Sequence, residues 1–432
     1  MRRALIVAGI CALVLAVVSW RAGWMSRPAA EPVRVGVLHS LSGPMASSER
    51  PVVEACLLAI DEINAAGGID GRPVEAVVRD GRSDPMVFAR EADALLGAER
   101  VAAIFGCWTS ASRRAVRPVV ERNGGLLLYP LQYEGMEESP RIVYLGAAPN
   151  QQVVPAVRWL LGEGKRRFAV IGSDYVFPRL ASWVIRDVVA DGGGTVTMEE
   201  FVPLSATDFG AIAERLRADP PDAILNLVNG EANAALFRAL RGAGITSDRV
   251  PTMSFSVAEP EARAIGPSLV AGDLATWSYF QARTSEANRR FVEAYRSRAG
   301  EDAQASDPVA AAYEAVHHWA TAARRAGSTD PDHVLQSLGN QSLHGPRGVT
   351  AIDPATQHTW QPVLIGRFDG SGQLRTVWDS GRAVQPMPFP AWRSRRTWID
   401  AVDALQRAWD GGWSNPDGRP TSGPSWLRGG QP

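Results

Sequence analysis

Apolar and polar positions repeat one unit along most of the chain: a short apolar run, a polar loop, then a helical stripe. Residues 33–38 (VRVGVL) alternate and predict a first strand. The loop HSLSGPMA follows, then a helix with Val53, Leu57, Ile60 and Ile63 on one face. Ser47 or Ser48 is its expected cap, with Pro51 in its first turn, and Gly67-Gly68 its stop. Residues 74–80 predict a second strand and 85–96 a second helix. After Asn150 the order restarts. Helices are expected at 153–161, 180–191, 212–218 and 234–242, and strands at 167–171, 195–202, 221–228 and 250–255. The pattern predicts an α/β chain of two doubly wound, Rossmann-like domains.

The most informative stretch is FGCWTSASRRAVRPVVERNGGLLLYPLQYE, residues 105–134. An apolar run ends at Gly106, and Thr109, Ser110 and Ser112 are all cap types for the helix that follows. A second apolar run ends in Tyr129-Pro130-Leu131-Gln132-Tyr133-Glu134. Two neighbouring strands therefore deliver polar and aromatic residues at their carboxyl ends, the edge where open α/β sheets bind ligands.

Beyond residue 272 the pattern changes. Residues 274–280 read as a strand passing between domains, and 285–299 and 308–326 as helices. Residues 348–352 and 362–368 read as a hairpin, and 373–378 as a further strand. Trp398, Ile399, Val402, Leu405 and Trp409 fall on one helical face, a stripe for packing. The Gly/Pro/Ser-rich segment 411–432 is expected to be a disordered tail.

Composition narrows the classes. At 432 residues two domains are expected, and a net charge of -1 gives no case for nucleic acid. Three cysteines, Cys11, Cys56 and Cys107, make neither a disulfide framework nor a metal-ligand pattern. Arg2-Arg3 before the apolar residues 4–19 reads as an export signal or an uncleaved anchor. No nucleophile elbow, zinc-protease motif or phosphate loop appears, so neither a catalytic residue nor a cofactor nor a metal is assigned.

The phrases VRVGVLHSLSGPMA, LAIDEINAAGGIDGRPVE, FGCWTSASRRAVRPVVE, YPLQYEG, YLGAAPNQQ, IGSDYVFPR and LVNGEAN together resemble type I periplasmic solute-binding proteins. They are most similar to the branch that binds urea and short-chain amides, which includes an amide-sensing amidase regulator. The resemblance spans about residues 33–398. It implies two lobes joined by three hinge crossovers, near 146–150, 273–279 and 343–350, closing on a ligand like a flytrap. Residues 33–148 with 279–346 would form the first lobe, and 149–278 with 347–385 the second. Residues 1–32 would be the signal or anchor with its linker, and 386–410 a C-terminal helical extension.

The resemblance implies a ligand-binding set of Trp108, Ser110, Tyr129, Gln132 and Tyr133 from the first lobe. Asp174, Tyr175, Asn229, Glu231 and Trp277 come from the second. These types suit a small neutral amide, whose buried carbonyl and NH2 groups all need partners. Ser110 and its helix N-terminus would meet the carbonyl, the aromatics would wall the ligand, and Asp174 or Glu231 would accept from NH2. Leu131 stands where the amide sensors carry threonine, and Gln132 is more like the urea transporters, so urea is expected over acetamide. The implied partner is an ABC permease at an extracytoplasmic location. A periplasmic or membrane-tethered amide sensor and a branched-chain amino-acid binder are the competing readings.

Overall fold

The computed structural model describes residues 31–339, 341–415 and 418. The export signal and all but the first residues of the expected tail lie outside them. Among the described residues no helix is long and apolar enough to cross a membrane.

The first lobe begins β1 Val33–His39, α1 Ala46–Ala65, β2 Val74–Asp80, α2 Pro85–Gly97, β3 Ile104–Gly106, α3 Ser110–Arg122, β4 Leu127–Tyr129 and β5 Ile142–Tyr144. Its five strands are all parallel in the order β2-β1-β3-β4-β5. The interior of β1 is almost wholly buried, because helices cover both faces of the sheet. The second lobe continues with α4 Val153–Gly162, β6 Arg167–Ser173, α5 Val176–Asp191, β7 Thr195–Val202, α6 Gly210–Ala218, β8 Ala223–Leu227, α7 Ala232–Gly242 and β9 Thr252–Ser254. Two short helices, α8 Glu259–Ile265 and α9 Pro267–Val270, lead into β10 Leu274–Trp277.

The chain then returns to the first lobe with α10 Glu286–Ala299, α11 Asp307–Ala326 and α12 Pro331–Leu338. A small antiparallel sheet follows, β11 Ser342–Gly345, β12 Gly348–Ile352 and β13 Thr359–Trp360. Finally β14 Leu364–Phe368 and β15 Leu374–Asp379 complete a seven-stranded sheet, β15-β14-β10-β9-β8-β6-β7, and α13 Arg395–Ala408 packs on the second lobe.

Three passes join the lobes, as expected, but the third lies later than the sequence suggested. Ile352 sits in the first lobe's core, and His358 bridges to Tyr144 beside β5. Residues 347–360 therefore go with the first lobe, and the crossing falls at 361–363. For the same reason the expected hairpin of 348–352 with 362–368 does not form. β12 pairs with β11 and β13, and β14 with β10 and β15.

The passes are tied to one another by buried polar groups. Arg347 pairs with Glu314 of α11 at 2.7 Å, and its Nη1 donates to the Leu145 carbonyl at 2.9 Å and to Gln361 Oε1 at 2.7 Å. Gln152 Nε2 donates to the carbonyls of Phe255 at 3.1 Å and Thr276 at 2.9 Å. Unpaired buried polar groups cost about 1–3 kcal/mol each, so these bonds fix where the chain crosses.

Candidate ligand-binding cleft

The first wall grows from the end of β3. Cys107 adopts φ of 66°, a left-handed conformation that L side chains disfavour by about 1–2 kcal/mol. It turns the chain out of the strand and into α3. Thr109, not Ser110, is the cap: its hydroxyl accepts from the Ser112 N–H at 3.0 Å. Ser110 is thus the first helical residue, and it is buried.

Ser110 is held by charged groups that sequence reasoning missed. Its hydroxyl donates to Glu134 and accepts from Arg113 Nη1 at 3.0 Å. A serine hydroxyl has one proton, so here it cannot also donate to a ligand carbonyl; what remains is acceptor capacity. The first N–H groups of α3 have no intrahelical acceptor.

Arg113 is fully buried, with Nε 2.7 Å from Glu137 and Nη2 3.2 Å from Glu134. Its guanidinium lies over the rings of Tyr129 and Tyr133, 4.9 and 4.6 Å from their centroids. Arg114 joins the same carboxylates at 2.9 and 3.4 Å. Two guanidinium groups thus face two carboxylates, and the buried charge cancels. Burial pushes the Glu137 carboxyl up, but Arg113, Arg114 and Arg117 outweigh it and hold the pKa down to about 2. The same two carboxylates raise Arg113 against the effect of its burial.

Tyr129 closes the floor, its hydroxyl donating to the Trp108 carbonyl at 2.7 Å. Gln132 reaches across to the second lobe, where Nε2 donates to the Phe255 carbonyl at 3.0 Å and to Ser256 Oγ at 3.2 Å. Its Oε1 is buried without a protein partner. Gly146, on the first pass, packs against this loop: a Cβ there would lie 2.0 Å from the Leu131 carbonyl oxygen.

The second wall comes from the carboxyl ends of β6 and β8. Tyr175 is buried just before α5 and hydrogen-bonds the Asn229 side chain, and burial raises its phenol well above the usual range. The Asn229 backbone N–H donates to Ser173 Oγ at 3.1 Å.

The lobes are closed on each other. Ala111 of α3 packs in the second lobe's core. Ser48, expected as a helix cap, instead hydrogen-bonds Glu261 of α8, while α1 starts after Met45 with no side-chain cap. Gly230 meets the 44–45 loop, where a Cβ would lie 2.6 Å from the Pro44 carbonyl oxygen.

Trp108, Ser110, Tyr129, Gln132, Tyr175 and Asn229 are therefore gathered at the interlobe edge. Four expected residues are not. The Tyr133 ring stacks on Tyr144 and His358, and its hydroxyl faces the Glu137 carbonyl and His358, inside the first lobe. Asp174 is paired with Arg179 at 2.7 and 2.9 Å and with Asn415 Nδ2 at 2.8 Å. Glu231 is exposed at the cleft mouth. Trp277 donates to the Val257 carbonyl at 3.0 Å and belongs to a core cluster of the second lobe. The missed residues are Arg113, Arg114, Glu134 and Glu137 behind the wall, and Gln152 and Ser256 across it. The adjacent arginines of SASRRA and the two glutamates some 20 residues later were the available signal. Among the described residues no group of three or more His, Cys, Asp or Glu is placed to hold a metal ion.

A family model described as a periplasmic binding protein domain matches residues 33–395. The chain belongs to the periplasmic binding protein family. Its architecture is the type I form, α/β with parallel sheets, as in its structural neighbours. Leu/Ile/Val-binding protein homolog 6 of Brucella melitensis is 26% identical over 345 residues, covering 78% of this chain and 87% of the relative. An ABC transporter solute-binding protein from R. palustris, solved with 4-hydroxybenzoate, is 25% identical with a TM-score of 0.74, over 84% of this chain and 99% of that one. A branched-chain amino acid transporter substrate binding protein from Streptococcus pneumoniae, solved with isoleucine, shares the fold. Its TM-score is 0.72 at 21% identity, over 82% of this chain and all of that one (100%). The protein is thus a periplasmic solute-binding protein of the ABC transporter type, and its relatives are binding proteins rather than enzymes.

Proposed function

We propose that the cleft captures a small neutral amide, urea before acetamide, and delivers it to an ABC permease without turning it over. The observation that carries this is the charge balance behind the first wall. Arg113 and Arg114 are matched by Glu134 and Glu137, and Asp174 by Arg179. A ligand carboxylate would find Arg113, Arg114 and Arg179 already paired, and burying an unpaired ion is far costlier than burying a neutral amide.

Neutral partners remain. Gln132 Oε1 and the spare lone pair of Ser110 suit NH2 donors, the N-terminus of α3 suits a carbonyl, and Trp108, Tyr129 and Tyr175 supply flat walls. Leu131 gives no hydroxyl where the amide sensors of the similar branch carry threonine, which supports urea. Calorimetry against urea, acetamide, formamide, isoleucine and 4-hydroxybenzoate tests the reading. Heat with urea and none with the acids is expected. Isoleucine binding more tightly than any amide would replace it with the amino-acid reading. Release of ammonia from urea at catalytic rates would end the transport reading.

A further inference from the structure

The family model stops at residue 395, yet the chain beyond it is built into the cleft. α13 buries Trp398, Ala401, Val402, Leu405 and Trp409 in the core of the second lobe. The segment after it runs back along the second wall. Trp413 accepts from the Val176 N–H at 3.0 Å, Ser414 bridges antiparallel to Tyr175, and the Asn415 N–H donates to the Asp174 carbonyl at 2.9 Å. Both residues flanking Tyr175 are thus held by the end of the chain. The expected tail is ordered over its first residues for this reason.

The same extension grips the first lobe. Arg114, which bonds Glu134 behind Ser110, lies under the Trp413 ring at 4.9 Å. The Pro388 carbonyl accepts from the Met136 N–H at 2.8 Å, and Arg395 pairs with Glu138 at 2.7 Å. These contacts reach the loop that follows Tyr133, whereas Arg393 pairs with Asp187 of α5 on the other side.

We propose that this C-terminal extension is an interlobe latch: it positions Tyr175 against the first wall and biases the cleft toward closure before ligand arrives. The proposal rests on the solute-binding reading of the cleft but not on the identity of the ligand. Opening the cleft moves Arg114 away from Val176, so the stacking of Trp413 on Arg114 and its backbone bond to Val176 cannot both persist. One of them must break each time the lobes part. A ligand held by Tyr175 then leaves no faster than the latch releases.

The test uses the full chain carrying Trp413→Ala, Asn415→Asp (a carboxylate set against Asp174) or Trp413→Phe. Small-angle scattering of the ligand-free proteins reads the open fraction, and amide exchange at Val176 reads the latch itself. Trp413→Ala and Asn415→Asp should enlarge the radius of gyration and speed exchange at Val176, with the unfolding midpoint kept. Trp413→Phe, which retains a ring over Arg114, should restore both. With urea as the probe, the dissociation constant should rise about tenfold in the first two variants. An unchanged ligand-free radius in both variants overturns the latch, whether or not urea binds. Wild type that ignores urea while the radius still shifts upholds the latch and removes only the amide reading.

Discussion

The two walls of the cleft are built on different principles. The charged frame of the first lies within its own lobe: Arg113 and Arg114 of α3 bind Glu134 and Glu137 of the loop after β4, Ser110 and Tyr129 rest on that frame, and the C-terminal extension touches it from outside through Trp413. The second is braced from outside its sheet, by chain that arrives more than 200 residues later. The Tyr175 side chain hydrogen-bonds Asn229 within the wall, and its backbone, which donates to the Ser173 carbonyl at 3.0 Å, also bridges to Ser414. A frame of buried charge is rigid, because moving either member exposes an uncompensated ion to a low dielectric. A frame of backbone bonds and one ring stack can part and re-form. The contrast suits a trap in which one wall is the template and the other is the door.

The largest effect should come from breaking the template. Arg113→Ala leaves Glu134 and Glu137 buried with Arg114 and the more distant Arg117 as their remaining cations, and loses about 3–5 kcal/mol of stability by denaturant unfolding. An equal loss from Tyr175→Ala would erase the distinction between the walls.

Acid should act on the same wall. Glu137 has its pKa lowered from 4.5 to about 2, so the stability it contributes is complete above pH 4.5 and is lost as pH falls through 2. The loss is on the order of 3 kcal/mol by linkage, and Glu137→Gln should remove that part of the pH dependence. A thermal unfolding series between pH 2 and 5 checks it. A variant as acid-sensitive as wild type would contradict the assignment.

The door should respond to sterics without loss of fold. Gly230 has φ of +65° and no room for a Cβ against Pro44, so Gly230→Val should prop the lobes apart. Urea affinity is expected to fall about tenfold or more, roughly 1.4 kcal/mol, with an enlarged radius under saturating urea. The smallest effect is expected from Tyr175→Phe, which deletes one hydrogen bond to Asn229 and weakens urea binding by about 1 kcal/mol in calorimetry.

How legible each wall was follows from the same contrast. The β-α grammar and most helices of both lobes could be read from periodicity, because those patterns are local. The strand-end position of Ser110, Tyr129 and Tyr175 could be read too, from the runs before them and from resemblance. What failed were features set by side-chain partners that periodicity does not report. Tyr133 looks like wall chemistry until Tyr144 and His358, both later in the chain, stack on it. Asp174 looks like a ligand acceptor until Arg179 and Asn415 take both of its oxygens. The segment from Gly411 has the composition of a tail, yet Trp413 and Asn415 find partners that no local pattern reports. Ser110 lies at the interlobe edge, but its hydroxyl donates to Glu134.

The central claim is that the two walls close on a small neutral amide, and one titration addresses it most directly. Urea is added to the purified protein while calorimetry follows binding and small-angle scattering follows the radius of gyration. The account predicts saturable heat at one site per chain and compaction of whatever open population remains. It also predicts no competing heat from isoleucine or 4-hydroxybenzoate. Saturable binding of either acid, with urea silent, would contradict it.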